Sequence, residues 1–263
     1  MLRVAFDASL AVLLAGVALN SISYALQRRK LRAVVEQLTV GCAEEIDAVL
    51  AVAKFIYANV TRAKDPVFLT PLLAPLGGSP LAILRQGGCC SGIHRLFIAC
   101  LGTIGIRAAQ ITLYPHSGRW CHCAVQVTLR GTVCIIDVDY GVIYEGPRGE
   151  FMGLRDLRSG IVPSFRVFAN GLSAPLCAGY YRDSSPGYPS SSYYDFDFRN
   201  TRTANWQKSW VRRRVYALLR VCSLGQVDSL FQPPLLEWPQ MFVSVSGLCL
   251  ALALFIARVA GAA

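Results

Sequence analysis

The chain has 263 residues, a hydrophobic content of 54% and a formal net charge of +10. The hydrophobic content exceeds the usual range of globular domains, and zinc-finger, helix-turn-helix and RNA-binding signatures are absent from the sequence. The positive charge therefore indicates a membrane surface rather than nucleic acid as the partner, and ten cysteines without regular spacing indicate a reducing compartment.

Two uncharged segments predict transmembrane helices. The first, Ala8–Leu26, has about the length that crosses a hydrocarbon core, and the second, Met241–Ala257, is just long enough. A cleaved signal peptide is the less favoured interpretation of the first, because basic residues follow it instead of a cleavage site: Arg28, Arg29, Lys30 and Arg32. A buried core helix is the alternative for the second. Because Lys and Arg beside a span tend to stay cytoplasmic, the middle of the chain is predicted to face the cytoplasm.

These segments divide the chain into four parts. Residues 1–32 are predicted to hold the first membrane helix with its basic flank, and residues 239–263 the second membrane helix. Residues 41–205 are predicted to form one domain, which ends in a Tyr/Ser-rich loop at 173–205. Residues 206–238 are predicted to combine a basic amphipathic helix with a Pro-rich linker. Two interpretations of this helix stay open, a surface that rests on anionic lipid and a face exposed to solvent.

The middle part predicts helices followed by antiparallel strands. Apolar residues at helical spacing predict helices over Cys42–Val60 and Cys90–Ile104. Three segments predict strands, at residues 107–114, 122–129 and 132–140. The last two strands are joined as a hairpin across Arg130 and Gly131. Helices first and antiparallel strands after them predict an α+β fold.

Cys90 stands at the predicted start of the second of these helices, directly after Gly87, Gly88 and Cys89. A thiol in the first turn of a helix faces the positive end of the helix dipole, which favours the thiolate and lowers the pKa. Cys90 is therefore a candidate nucleophile, and Cys89 is the less favoured alternative. Backbone N–H groups of this turn, with Gln86 as a weaker candidate, are expected to hold a developing oxyanion. The competing interpretation is that Cys90 only packs in an apolar helix, as buried cysteines commonly do.

The hairpin supplies a candidate base and two candidate acids. A two-residue turn at Arg130 and Gly131 pairs His122 with Asp139 and puts Asp137 diagonal to His122. Because side chains alternate between the faces of a sheet, all three share one face. A carboxylate that accepts a hydrogen bond from the imidazole fixes its tautomer, while the other nitrogen meets the thiol. Alternation alone does not choose between the two acids.

The segments around Cys90, His122 and Asp137 resemble the motifs of one protein family. The segment "GGCCSGIHRLFIACLGTIGI" resembles the core helix of the transglutaminase-like superfamily, which begins Gly-x-Cys and ends in a Leu-Gly-Ile pattern. "HCAVQV" and "DVDYG" follow where that family has its histidine and aspartate motifs. Ala124 and Gln126 replace the usual Trp and Glu after the histidine, and Val133 replaces a common aromatic residue. These departures leave the candidate nucleophile, base and acid intact.

The resemblance implies a catalytic triad in which Cys90 is the nucleophile, His122 the base and Asp137 the acid. It favours Asp137 over Asp139, which stays a weaker candidate beside Cys89 and Gln86 for substrate or oxyanion contacts. It also implies a papain-like or transglutaminase-like core, in which a helix bearing the cysteine packs on an antiparallel sheet bearing the histidine and aspartate. The two transmembrane helices flank this core.

The predicted function is that of a membrane-anchored cysteine enzyme that cleaves or transfers an amide or peptide acyl group through a thioester. Hydrolysis is favoured over crosslinking, because no amine-binding site is specified. The expected partners are a peptide or protein substrate and membrane lipid, and the chemistry requires no metal or other cofactor. The first alternative is an inactive scaffold of the same fold that binds partners at the membrane.

A structural zinc site is the second alternative. Its candidate ligands are Cys89, Cys90, His94, Cys121, His122 and Cys123. Consecutive strand residues point to opposite faces, so His122 and its two neighbours are not able to reach one ion from a regular strand. His94 is interpreted as a core histidine or as a partner of the Cys90 site, and His116 is a weaker alternative base.

Overall fold

A computed structural model describes residues 2–63, 79–115, 122–168, 196–203 and 239–260. Its helices are α1 (Leu2–Leu38), α2 (Glu45–Asn59), α3 (Pro80–Gln86), α4 (Cys90–Thr103), α5 (Leu154–Arg158) and α6 (Pro239–Ala260). Its strands are β1 (Arg107–Pro115), β2 (His122–Leu129), β3 (Thr132–Asp137), β4 (Val142–Glu145), β5 (Ser164–Val167) and β6 (Phe196–Thr203). The predicted basic helix and linker at 206–238, and also His116 and Cys121, lie outside the described residues.

The described strands form one antiparallel sheet in the order β5-β4-β3-β2-β1-β6, which confirms the predicted α+β class. The paired part of the β2–β3 hairpin has the predicted register, because Val125 pairs with Ile136 and Leu129 pairs with Thr132. The pairing ends there and β3 ends at Asp137 instead of residue 140, so Asp139 lies in the turn after the strand and the predicted pair of His122 with Asp139 does not form. Gly131 in its turn has a φ of 79°, a left-handed conformation that glycine adopts without strain.

The Tyr/Ser-rich segment differs from its prediction as a loop at one place. Phe196–Thr203 form β6, which pairs with β1 at the edge of the sheet. Phe196 and Phe198 are buried and alternate with the less buried Asp197, which is the period-two pattern of a strand with one covered face. Neighbouring prolines and serines mask this short pattern in the sequence.

The two faces of the sheet carry different cores. One core joins the sheet to α2, α4 and the end of α1, and includes Val125, Val127 and Ile136. The opposite core packs the other face of the sheet against α5. It includes Ala124 and Ile135 and the two phenylalanines of β6. Every residue of α4 except Cys90 and Gly102 is buried, so α4 is the central helix of the described fold. Neighbouring strand residues therefore face different cores.

The helices α1 and α6 pack against each other in antiparallel directions. Near the start of α6, Ser244 accepts hydrogen bonds from Asn20 (2.9 Å) and Ser21 (3.0 Å), and at its end Arg258 forms an ion pair with Asp7. Both helices are long and apolar enough to cross a membrane, with candidate spans Phe6–Leu38 and Val243–Ala260. Two antiparallel spans place the residues between them on one side of a bilayer.

The first apolar helix does not stop at the membrane flank. The predicted N-terminal part, residues 1–32, ends inside α1, which continues to Leu38 without a break. Leu31 and Val35, in its last turns, are fully buried in the core formed with α2 and α4. This long apolar helix is therefore also a structural element of the folded domain.

We expect this shared helix to be needed for the stability of the domain. Val35→Ala removes two buried methyl groups and should cost about 2 kcal/mol of unfolding free energy. Val40→Ala is the matched control, because Val40 is 82% exposed while Val35 is fully buried. Thermal unfolding of the detergent-solubilised chain should show a lowered Tm for the first variant and an unchanged Tm for the second. Equal values would contradict the packing of α1 into the domain.

Candidate active site

The loop that carries Cys90 is fixed by backbone contacts. Gly88 donates its N–H to the carbonyl of Thr61 (3.2 Å) and accepts from the N–H of Ala63 (3.0 Å). Gly87 has a φ of 85°, and a Cβ at this position would collide with the Thr61 carbonyl oxygen. Only glycine fits this close approach. The contacts set the point at which α4 begins, and hence the position of Cys90 in its first turn.

His122 and Asp137 form the central contact of the site. Nε2 of His122 donates to Oδ2 of Asp137 at 2.6 Å, and both side chains are buried. Oδ1 of the same carboxylate accepts from the N–H of Tyr140 at 3.1 Å. Burial alone would raise the pKa of Asp137, but the adjacent His122 outweighs burial and holds that pKa well below its ordinary value. In the described site, the Asp137 carboxylate therefore occupies Nε2 of the His122 imidazole through a hydrogen bond.

Asp139, the other candidate acid, has a different partner. Its Oδ2 accepts from Nη2 of Arg62 at 2.6 Å, and its side chain is almost completely buried. Arg62 also forms a parallel bridge with Gly88, in the loop before Cys90. The ion pair therefore connects the end of β3 to the cysteine loop. Asp139 contributes to the position of that loop by this route.

His94 connects the cysteine helix to the aspartate. Its Nδ1 lies 2.6 Å from the carbonyl oxygen of Cys90, and its Nε2 lies 3.2 Å from the N–H of Val138. These contacts assign the tautomer in which Nδ1–H donates to Cys90 and Nε2 accepts from Val138. Nε2 is also 3.3 Å from Oδ1 of Asp137, and the His94 ring meets the His122 ring edge to face at 5.9 Å. His94 is fully buried, so it joins the first turn of α4 to the end of β3.

The thiol and the imidazole reach the end of the sheet from different sides. His122 stacks on Phe196 (5.9 Å) and meets Tyr140 edge to face (4.7 Å), both of which belong to the core on the α5 side. Cys123, the next residue of β2, points to the α4 side and contacts the Cys90 thiol. The structure therefore places the Cys90 thiol against Cys123, the residue next to His122, and places the His122 ring against Asp137.

The surroundings of Cys90 correct the expectation of a lowered pKa. The contact with Cys123 has the largest effect and raises the pKa of the Cys90 thiol, and burial adds to the increase. A contact with Cys89 acts in the opposite direction and is outweighed, so the pKa lies well above its ordinary value. Desolvation and a neighbouring thiol thus oppose the helix dipole. The resting side chain is a neutral thiol.

The weaker candidates occupy the approach to α4. Cys89 is the N-cap residue of the helix and is half-buried. Gln86 is exposed at the end of α3, where it lines a groove between α3 and α1. For the zinc alternative, the described residues contain no group of three or more His, Cys, Asp or Glu side chains able to hold a metal ion. Cys121, one of its candidate ligands, is outside the described part of the chain.

Sequence reasoning missed two contacts of this site and gave little weight to a third. Arg62 and Phe196 have no signal in the sequence, because they lie far along the chain from the residues they touch. His94 had a signal, because a residue four positions after Cys90 lies on the same face of a helix. A buried histidine at this position is able to donate to the carbonyl of Cys90 one turn earlier and to accept from the N–H of Val138, directly after β3.

Comparison with known proteins gives limited similarity. No protein-family model and no curated protein matches the chain. Among solved structures, it is similar to a "Putative Cysteine Protease" from Cytophaga hutchinsonii, with 21% identity and a TM-score of 0.36 over 43% of this chain and 38% of that chain. A "Putative Protease" from Parabacteroides distasonis is similar at 19% identity and a TM-score of 0.33, over 50% of this chain and 26% of that chain. The chain therefore spans less than two fifths of either structure.

The lowered pKa of Asp137 predicts acid sensitivity. Because the pKa is lower in the folded state, the carboxylate stabilises the fold above the ordinary aspartate pKa of about 4, and this stabilisation is lost as the pH falls further. The unfolding free energy of the wild type should fall between about pH 4 and pH 2 more steeply than that of Asp137→Asn. The control Asp47→Asn, at an exposed position in α2, should keep the wild-type slope in denaturant titrations. If the unfolding free energies of wild type and Asp137→Asn fell in parallel with pH, the result would contradict a lowered pKa for Asp137.

The contact between Cys90 and Cys123 predicts slow thiol alkylation. Wild-type Cys90 should react with iodoacetamide at a rate that still increases above pH 9, because its pKa is raised. Cys123→Ala removes the largest cause and should move the pH profile of Cys90 to lower values. Cys134→Ala is the control, since Cys134 is a buried thiol whose own pKa is raised to about 12 by desolvation. Peptide mass spectrometry follows each cysteine separately. An unshifted profile in Cys123→Ala would refute this account.

Proposed function

We propose that the chain is a membrane-anchored cysteine enzyme with a transglutaminase-like core, which cleaves an amide or peptide bond through a thioester. Cys90 is the nucleophile, His122 the base and Asp137 the residue that orients His122. Water is the acyl acceptor, which makes the enzyme a peptidase or amidase rather than a crosslinking enzyme. The substrate is a peptide or protein.

The observation that carries this proposal is the 2.6 Å bond between His122 and Asp137 beside the first turn of α4. Because the carboxylate engages Nε2, the ring exchanges protons with a nucleophile through Nδ1. The Cys90 thiol contacts Cys123, the next residue after His122 in β2. The proposal therefore requires the thiol to turn from Cys123 toward Nδ1 of the adjacent residue, His122, through a change of side-chain rotamer.

The reaction proceeds in two acyl-transfer steps. Nδ1 of His122 takes the thiol proton while the Cys90 sulfur bonds to the carbonyl carbon of the substrate. The same nitrogen returns the proton to the leaving amine as the C–N bond breaks, and a thioester remains on Cys90. Water then attacks the thioester carbonyl, gives a proton to His122 and releases the carboxylic acid, and the proton returns to the sulfur. Asp137 stabilises the imidazolium in both steps.

The oxyanion is held by the start of α4. The N–H of Gly88 is already donated to Thr61, so it is not the donor. The N–H of Cys90 lies in the first turn, whose N–H groups have no partner within the helix. This group and the positive end of the helix dipole stabilise the negative charge on the carbonyl oxygen.

The enzyme is anchored with its domain on the cytoplasmic side. The antiparallel packing of α1 and α6 supports a helical hairpin, with the domain attached at one end. The basic residues that follow the first apolar segment support the cytoplasmic side for that end. Membrane anchoring restricts the substrates to proteins that come close to the bilayer.

An inactive scaffold is the second candidate, and one observation favours it. The Cys90 thiol contacts Cys123 and has a raised pKa, so the resting nucleophile is not activated. In a scaffold, His122, Asp137 and His94 only stabilise the fold. The two candidates differ in whether substitution of Cys90 removes turnover.

Turnover of a peptide library by the full chain in detergent micelles tests the proposal. Cys90→Ala should abolish turnover, and His122→Ala should lower it about a thousandfold or more, because both groups take part in each acyl transfer. Cys89→Ala is the matched control, since it removes the neighbouring thiol, and it should keep turnover within a few-fold of wild type. Mass spectrometry should detect an acyl group on Cys90 that hydroxylamine removes.

Two results would overturn the proposal. Equal turnover by Cys90→Ala and wild type would show that another group carries the reaction. Absence of turnover together with absence of Cys90 acylation by activated esters would establish the scaffold. Thermal unfolding of each variant verifies that the chains compared are folded.

A further inference from the structure

A groove of about 500 Å³ lies between α1 and α3. On α1 it extends from Leu19 to Lys30, a distance of about 16 Å along the helix axis. The groove therefore begins within the predicted membrane span, Ala8–Leu26, and continues into the basic flank. Residues of α3, including Leu81 and Arg85, form its other side.

The lining changes from apolar to basic along the groove. Leu19, Ile22 and Leu26 line the part within the span, and all three are more than half exposed. Ser23 and Gln27 form a polar step, in which Nε2 of Gln27 donates to Oγ of Ser23 at 3.2 Å. Lys30 and Arg85 are the charged residues of the described lining, and both are exposed. The described lining contains two cations and no carboxylate.

We propose that this groove binds an anionic phospholipid. The acyl chain lies along the apolar part, and the phosphate lies between Lys30 and Arg85. The order of the lining supports this orientation, since in a bilayer the chains lie toward the centre and the phosphates lie at the surface. Basic pockets beside membrane helices at the cytoplasmic surface are typical sites for anionic headgroups. A neutral or cationic lipid does not compensate the two positive charges.

The groove also connects the bilayer to the candidate active site. Its lining includes Gln86, the last residue of α3, and the loop Gly87–Cys89 follows directly. A bound lipid thus lies beside the segment that positions Cys90. Lipid binding rests on the membrane anchoring in the proposed function but not on its catalytic part, because no member of the proposed catalytic triad lines the groove.

Native mass spectrometry of the full-length chain in a neutral maltoside detergent tests the proposal. Phosphatidylglycerol should bind in preference to phosphatidylcholine with the same acyl chains. The double variant Lys30→Gln/Arg85→Gln should bind phosphatidylglycerol about thirtyfold more weakly, at about 1 kcal/mol for each lost charge. The matched control is Arg28→Gln/Arg29→Gln, which removes two exposed charges of α1 outside the groove and should change binding less than threefold.

A third variant tests the apolar part without changing the charge. Leu26→Trp fills the groove and should also weaken phosphatidylglycerol binding, with the Tm showing that the fold is intact. Equal losses in the two double variants would show that diffuse surface charge attracts the lipid, and would overturn the proposal. Equal binding of the two phospholipids would overturn it as well. The experiment measures lipid binding and not peptide turnover. A failure of the lipid-binding proposal is therefore distinguishable from a failure of the proposed function.

Discussion

The buried carboxylate of Asp137 is the constraint on which the site depends. A buried charge without partners costs several kcal/mol, so each oxygen needs a donor. His122 provides one from β2, and the N–H of Tyr140 provides another from the turn after β3. His94 approaches the same carboxylate from α4 while it bonds to the carbonyl of Cys90. The carboxylate therefore fixes β2 relative to the turn after β3, and His94 links that turn to the first turn of α4 through the N–H of Val138.

The Cys90 thiol experiences two opposing influences. The start of α4 favours a thiolate through the helix dipole, while Cys123 and burial favour the protonated form. The second influence is larger in the resting site. A protonated thiol is protected from oxidation, because the thiolate is the form that reacts with oxidants. In the mechanism that we propose, the proton leaves the thiol only when His122 accepts it during attack.

The helix α1 combines a segment long and apolar enough to cross a membrane with a segment of the domain core. Its apolar first part packs on α6, and its last turns are buried beside α4, the helix that carries Cys90. Because a continuous helix is stiff, the apolar first part of α1 and the domain core keep a fixed relative direction. This geometry also creates the groove between α1 and α3.

The sequence by itself determined the features that depend on local patterns. Long uncharged runs predicted the two long helices, the turn at Arg130 and Gly131 predicted the hairpin register, and the glycines before Cys90 predicted the start of α4. Each of these features depends on residues close together in the chain. Strand alternation left Asp137 and Asp139 equivalent and the family resemblance favoured Asp137, but only the tertiary structure shows that Asp137 contacts His122 while Asp139 pairs with Arg62. It also decided the direction of the Cys90 pKa shift. Both outcomes depend on packing between distant segments, through partners such as Arg62 and Cys123 that no local pattern specifies.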